Sequence, residues 1–143
     1  MYGGRPYHPG IDIAASVGTK IYAPLSGTVR AIGDTDAVPG CYSWGKWTLI
    51  DHANGLSTLY AHQSVISVAP GQQVAAGDAI GFTGATGYVT GPHLHFTLYV
   101  KAAVSVKDFA EFKPAGTTAC AGAKTPVSAV GGYLDPILYL SAI

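Results

Sequence analysis

The stretch "KWTLIDHANGLSTLYAHQ", residues 46–63, sets two β-patterned runs on either side of Asn54-Gly55. Asn-Gly between such runs is the strongest short-range hairpin signal, because both turn positions favour positive φ. An antiparallel pair in the middle of the chain commits its neighbours to a sheet. A two-residue loop predicts Ala53 opposite Leu56, His52 opposite Ser57 and Trp47 opposite His62. His52 and His62 then fall on opposite faces unless a bulge shifts the register, and His52, beside the turn, is expected to face solvent.

The rest of the chain reads in the same way. Nineteen glycines, nine prolines and nine tyrosines, with abundant Val, Thr and Ile, suit many short strands joined by tight turns. Further candidate strands are "IDIAA", "KIYAP", "GTVRAIG", "ISVA", "QQVAAGDAIGFTG" and "HLHFTLYVK". The expected fold class is all-β, an antiparallel sheet, with short helices near the C-terminal part. "SVKDFAEFK" at 105–113 is read as two helical turns, and "DPILYLSA" offers Asp135 as N-cap with Pro136 at the first helical position. Residues 114–132 read as a long surface loop. A length of 143 residues fits one domain, residues 1–143, with a core that needs no metal or cross-link to hold it.

Charge excludes several functions. Only 11% of residues are charged, and eight basic side chains balance eight acidic ones, so no field gathers nucleic acid or anionic membrane. No apolar run approaches the ~20 residues that cross a bilayer, and no signal peptide opens the chain. Met1 stands seven residues before His8, and a longer precursor that carried any export signal is expected.

Against this background the histidines stand out. "RPYHPGIDIAA" holds His8 and Asp12 four residues apart around Pro9-Gly10. Proline restricts His8 to extended backbone and Gly10 disfavours helix, so the segment reads as a turn entering a strand that aims both side chains at one point. Imidazole and carboxylate both suit zinc, although a polar turn beside a strand has the same composition. In "GPHLHF", His93 and His95 share one face of a strand while Leu94 and Phe96 take the other.

"HPGIDI", "LYAH" and "TGPHLHF", in this order and spacing, resemble the motifs of the lysostaphin-like, or LytM-type, zinc endopeptidases that cut peptidoglycan, a fold related to the duplicated hybrid motif. The resemblance spans nearly the whole chain, including "APLSGTV", "PGQQVAAGDAIGFTGATG" and "YLDPILYL". It implies that His8, Asp12 and His95 hold one zinc ion per chain and that His62 and His93 are the catalytic pair. Such a ligand set leaves a position open for water, and the metal lowers the pKa of that water and polarises a carbonyl. His93, neighbour of a ligand, is assigned as the base and His62 as the oxyanion donor. The implied partners are peptidoglycan peptides, with no nucleic acid and no membrane. The implied setting is a monomer in the cell wall, the periplasm or the extracellular space. Relatives often carry an acidic residue two positions after the second histidine of "HLHF"; here it is Thr97.

Cys41 and Cys120 lie in segments, 35–47 and 102–132, that look like additions to a minimal domain of this family. A disulfide between them suits an exported enzyme; two buried thiols are the alternative. Trp44, Trp47, Tyr42 and Tyr88 are candidates for a peptide groove or for the core. Two other functions stay open. One is a non-catalytic wall-binding or activating domain of the same fold, although no ligand has been lost. The other is a biotinyl- or lipoyl-like carrier domain, although the hairpin tip "DHANGLS" lacks the lysine that would carry the cofactor.

Overall fold

The computed structural model describes residues 10–39, 41, 43–108, 111 and 120–140. The chain opens with β1 (Ile11–Ala14), β2 (Lys20–Tyr22) and β3 (Gly27–Asp34), then the hairpin β4 (Lys46–Asp51) and β5 (Leu56–Ile66). There follow β6 (Gln73–Val74), β7 (Ala79–Thr83), β8 (His93–Val100), β9 (Val104–Asp108), β10 (Lys124–Ser128), β11 (Tyr133–Leu134) and α1 (Pro136–Leu140). Nine of these strands form one sheet in the order β1-β8-β5-β4-β3-β6, with β11 on β8 and a β2–β7 pair joined to β5. Every pairing is antiparallel, as the sequence predicts.

The hairpin differs from expectation by one residue. Asp51 faces Ser57 and Ile50 faces Thr58, and the His52 N–H donates to the Leu56 carbonyl at 2.9 Å. The loop therefore has three residues, Ala53, Asn54 and Gly55, with Gly55 taking the left-handed conformation (φ 80°) that a three-residue hairpin needs at its last position. This register puts His52 on the face of Thr58 and Tyr60. His52 does not face solvent; it is 2% exposed. Its Nδ1–H donates to the Ser26 carbonyl at 2.8 Å, and its Nε2 accepts from Thr58 Oγ1 at 2.8 Å. Thr58 Oγ1 also bonds the Tyr60 hydroxyl at 2.8 Å. A carbonyl can only accept, which fixes the tautomer.

The sheet buries both faces. Ile50, Tyr60, Leu94, Phe96 and Leu98 meet Ile21, Val29 and Ile80 on one side; Trp47, Leu49, Leu59, Ala61 and Tyr99 meet Val104 on the other. Residues 105–113 do not form the two helical turns expected of them. Through Asp108 they are strand β9, paired with β10, and the remainder of the segment falls outside the described residues except Glu111. The alternation in "VSVKD" is the physical reason: it packs Val104 and Val106 against the second core, and tertiary burial overrides a weak helical pattern. For the same reason the expected loop 114–132 contains a strand, Lys124–Ser128.

Two cross-links hold the β9–β10 hairpin. Trp47 Nε1 donates to the Lys124 carbonyl at 3.1 Å. Arg30 pairs with Asp51 at 2.8 Å and donates to the carbonyls of Val104 (2.7 Å) and Lys101 (3.2 Å). Cys41 and Cys120 form a disulfide within a small apolar cluster. At the C-terminal end Asp135 caps α1 through the Ile137 N–H at 2.9 Å, as the sequence predicts.

Candidate metal centre and its histidine pair

β1 runs antiparallel to β8 with Asp12 opposite His95 and Ala14 opposite His93. Alternation then puts Asp12, His93, His95 and Thr97 on one face while Ile11, Ile13, Leu94 and Phe96 take the other. Asp12 Oδ1 lies 2.9 Å from His95 Nδ1 and 3.5 Å from His93 Nε2. The far nitrogen of His95, Nε2, lies 2.8 Å from Thr97 Oγ1. Gly10 closes this corner: a Cβ on it would collide with the Phe96 carbonyl, Thr97 Oγ1 and His95 Nε2.

His62 reaches the same face by a bulge. Lys46 pairs with Gln63 and Thr48 with Tyr60, so Ala61 and His62 together oppose Trp47 alone. His62 takes φ 60°, the one non-glycine positive φ among the described residues, a conformation that persists only when neighbours over-determine it. Here they do. The His62 N–H donates to the Trp44 carbonyl at 2.7 Å, and Nδ1–H donates to the Thr86 carbonyl at 2.7 Å. Thr86 Oγ1 accepts from Lys46 N–H at 3.1 Å and donates to the Gln63 carbonyl at 2.7 Å, serving the backbone around the bulge.

His52 and His62 thus lie on opposite faces, as expected, but through two offsets that cancel: a hairpin loop one residue longer and a strand with one extra residue. The His62 ring lies 4.9 Å from His93 and 6.2 Å from His95, centroid to centroid. Burial first, then the neighbouring His93 and His95, lowers its pKa to about 4, so the ring is neutral near pH 7. His93 likewise spends Nδ1–H on a carbonyl, that of Gly91 at 2.9 Å. Each ring therefore offers Nε2 as its working nitrogen.

Trp44, half-buried, stacks over His95 with centroids 4.5 Å apart and stands 5.8 Å from His62. Trp47 is core, Tyr88 is 79% exposed and Tyr42 is outside the described residues. Sequence reasoning missed the stack on His95 and the role of Thr86, for which no local pattern exists.

A nitrogen and a carboxylate oxygen converging at 2.9 Å are a donor set that fits zinc. Among the described residues no three His, Cys, Asp or Glu side chains gather into a metal-binding group; His8, the expected third ligand, lies outside them. The sequence profile of peptidase family M23 matches residues 6–107, a span that includes His8, Asp12, His62, His93 and His95. The chain belongs to peptidase family M23. It is 45% identical over 89 residues to the DD-carboxypeptidase/endopeptidase Mpg of Neisseria meningitidis serogroup B, covering 62% of this chain and 19% of that protein. It is 39% identical over 94 residues to the peptidoglycan DD-endopeptidase ShyA of Vibrio cholerae, covering 66% of this chain and 20% of that protein. The chain thus spans about a fifth of the length of these relatives. The catalytic domain of the antimicrobial peptidase lysostaphin from Staphylococcus simulans superposes with a TM-score of 0.66 at 26% identity, covering 94% of this chain and 79% of that one. The M23 match ends before Lys124 and Cys120, so β10 and the disulfide lie wholly or partly beyond it.

Proposed function

We propose that this M23 domain is a zinc-dependent endopeptidase that hydrolyses peptide bonds in peptidoglycan, in stem peptides or cross-bridges. His8, Asp12 and His95 would hold one zinc ion, and His62 and His93 would be the acid–base pair. The observation that carries this reading is the convergence of Asp12, His95, His93 and His62 on one face of the sheet in a member of this family.

Held by His8, Asp12 and His95, zinc would supply a Lewis acid able to lower the pKa of water toward ~7 and to polarise a peptide carbonyl. The remaining work belongs to the chain. With Nδ1 tied to Thr86 or Gly91, each catalytic ring presents Nε2 in a fixed direction, able to accept the proton of water and return it to the leaving amine. Trp44 covers His95 and narrows the approach of solvent. The Cys41–Cys120 disulfide supports action in an oxidising compartment, the cell wall or periplasm.

The test is digestion of purified walls with the metal-loaded protein, its zinc content measured beside it. About one zinc per chain, activity abolished by a chelator, and new peptide termini by mass spectrometry are the expected results. Zinc uptake without new termini sinks the hydrolase reading in favour of a wall-binding module, and no zinc uptake sinks the metal centre itself.

A further inference from the structure

Asp36 and His62 hold opposite ends of one peptide group. The Gly87 N–H donates to Asp36 Oδ2 at 2.9 Å, and the Thr86 carbonyl accepts from His62 Nδ1–H at 2.7 Å. That N–H and that carbonyl belong to the same planar unit, the amide between residues 86 and 87, and no peptide bond among the described residues is cis. In a trans unit the two groups point in opposite directions, so carboxylate, amide and imidazole form one chain of hydrogen bonds. Hydrogen bonds in such a chain polarise one another, and an ionised acceptor makes the strongest link.

The loops that carry the two ends are pinned together. Tyr88 N–H donates to the Ser43 carbonyl at 2.8 Å, and a Cβ on Gly87 would collide with that carbonyl and with the Gly45 nitrogen. Thr35, beside Asp36, donates its N–H to the Gly45 carbonyl at 3.1 Å and accepts the Gly45 N–H on Oγ1 at 2.9 Å. Among the described residues the Gly87 N–H is the one hydrogen-bond donor to the Asp36 carboxylate, whose Oδ1 is buried with no hydrogen-bond partner. A carboxylate oxygen in that state needs a reason, and loop packing alone gives none.

We propose that Asp36 is a positioning residue for His62: its carboxylate fixes the 86–87 peptide group and, through the Thr86 carbonyl, holds the imidazole with Nδ1–H engaged and Nε2 as the working nitrogen. The proposal rests on the acid–base role given to His62 above. In a serine-protease triad a carboxylate does this by direct contact with Nδ1–H; here one backbone amide stands between the two side chains. Asp36 lies in the segment 35–47 that looks like an addition to a minimal domain of the family, so the orientation of His62 depends on a part of the loop that the three site motifs do not contain.

Two measurements on the full 143-residue chain test this, using Asp36→Asn, which keeps the shape and an acceptor oxygen without the charge, and Asp36→Ala, which keeps neither. In the first, the Gly87 amide proton and the His62 Nδ1 proton are followed by nitrogen-resolved proton NMR. Both are expected to move upfield in Asp36→Asn and further in Asp36→Ala, because the chain of hydrogen bonds loses its charged acceptor. A His62 Nδ1 proton that stays in place while the Gly87 proton moves overturns the proposal and leaves Asp36 a loop anchor. In the second, kcat and KM are measured on cross-linked muropeptides released from purified walls, with zinc content beside them. Asp36→Ala is expected to lose about 10–100-fold in kcat, the usual effect of a partner one step removed from a site group, with KM and zinc content near wild type, and Asp36→Asn to recover part of the loss. Wild-type kcat in Asp36→Ala, or a loss carried by KM alone, overturns the proposal. If the wild-type protein cuts no muropeptide, the hydrolase reading falls and the proton shifts alone decide whether Asp36 acts on His62. If Asp36→Ala does not fold, Asp36→Asn decides.

Discussion

The indole of Trp44 lies over the imidazole of His95, planes tilted by 34° and centroids 4.5 Å apart, while the carbonyl of the same residue accepts the N–H of His62. One loop residue thus braces both halves of the site. A tilted aromatic pair is worth about 0.5–1.5 kcal/mol beyond its burial. Trp44→Ala, which also gives up the burial of the indole, should lower stability by more than that amount in denaturant titration and reduce wall lysis more than it reduces zinc content, with Trp44→Phe intermediate. Equal loss of zinc and lysis would make the indole a brace for the ligand alone.

Ligand and catalyst separate by metal content. His95→Ala should lose zinc and turnover together. His93→Ala should keep most of its zinc and lose about 10²–10⁴-fold in rate, the contribution of one acid–base group. For His62 the informative change is to Asn, which tolerates the left-handed backbone recorded there (φ 60°). His62→Asn should fold and hold zinc with a comparable loss of rate. Elemental analysis and lysis assays on the same preparations check all three.

His52 is structural, and its removal reads out in stability. His52→Ala leaves the Ser26 carbonyl and the Thr58 hydroxyl without their buried partner, at a cost of about 1–3 kcal/mol, with zinc content unchanged.

The same residue makes stability pH-dependent. Burial, opposed by the Ser26 hydrogen bond, lowers the His52 pKa from its usual 6.5. Below pH ~6.5 the unfolded chain takes up a proton that the folded one refuses. The stabilisation is therefore complete above pH ~6.5 and declines as pH falls toward the folded-state pKa. Urea unfolding at pH 8, 6 and 5 should show a shallower decline for His52→Gln than for wild type; parallel curves would remove His52 from the account.

The disulfide closes a long loop, Cys41 and Cys120 being separated by 79 positions in sequence, and a chain-entropy estimate puts its effect at about 4.5 kcal/mol. Reduction, or Cys41→Ser with Cys120→Ser, should lower the unfolding midpoint accordingly. Because Cys41 stands three residues before Trp44, lysis should fall further than zinc content. Unchanged lysis at temperatures where the reduced protein is still folded would separate the disulfide from the site.

Most of the sheet is legible in the sequence because alternation in "HLHFTLYV" and "KWTLID" has one reading once a face must be buried. Asp12, His62, His93 and His95 were singled out by the resemblance of their motifs rather than by spacing, since an imidazole and a carboxylate beside a turn read equally well as a polar turn; the structure brings the four side chains to one face. What stayed hidden was non-local. Asn54-Gly55 announces a turn but not whether the loop holds two residues or three. No residue near His62 announces a bulge, because the groups that pin it, the carbonyls of Trp44 and Thr86, come from loops distant in sequence. "SVKDFAEFK" misled because its short period-two core is surrounded by good helix formers.

Asp12 and His95, the two described residues of the proposed metal centre, have unequal mechanical standing. His95 sits on β8, held between β5 and the β1–β11 edge, so its amide should exchange with solvent only when the domain opens as a whole. Asp12 sits on β1, four residues long, exposed and terminal in the sheet, where fraying is nearly free. Exchange of a metal held there would therefore have a hinge side and a fixed side. An ion held as proposed would leave when β1 peels from its neighbour, and its residence time would be set by that peeling while His95 on β8 waits in place for the next ion.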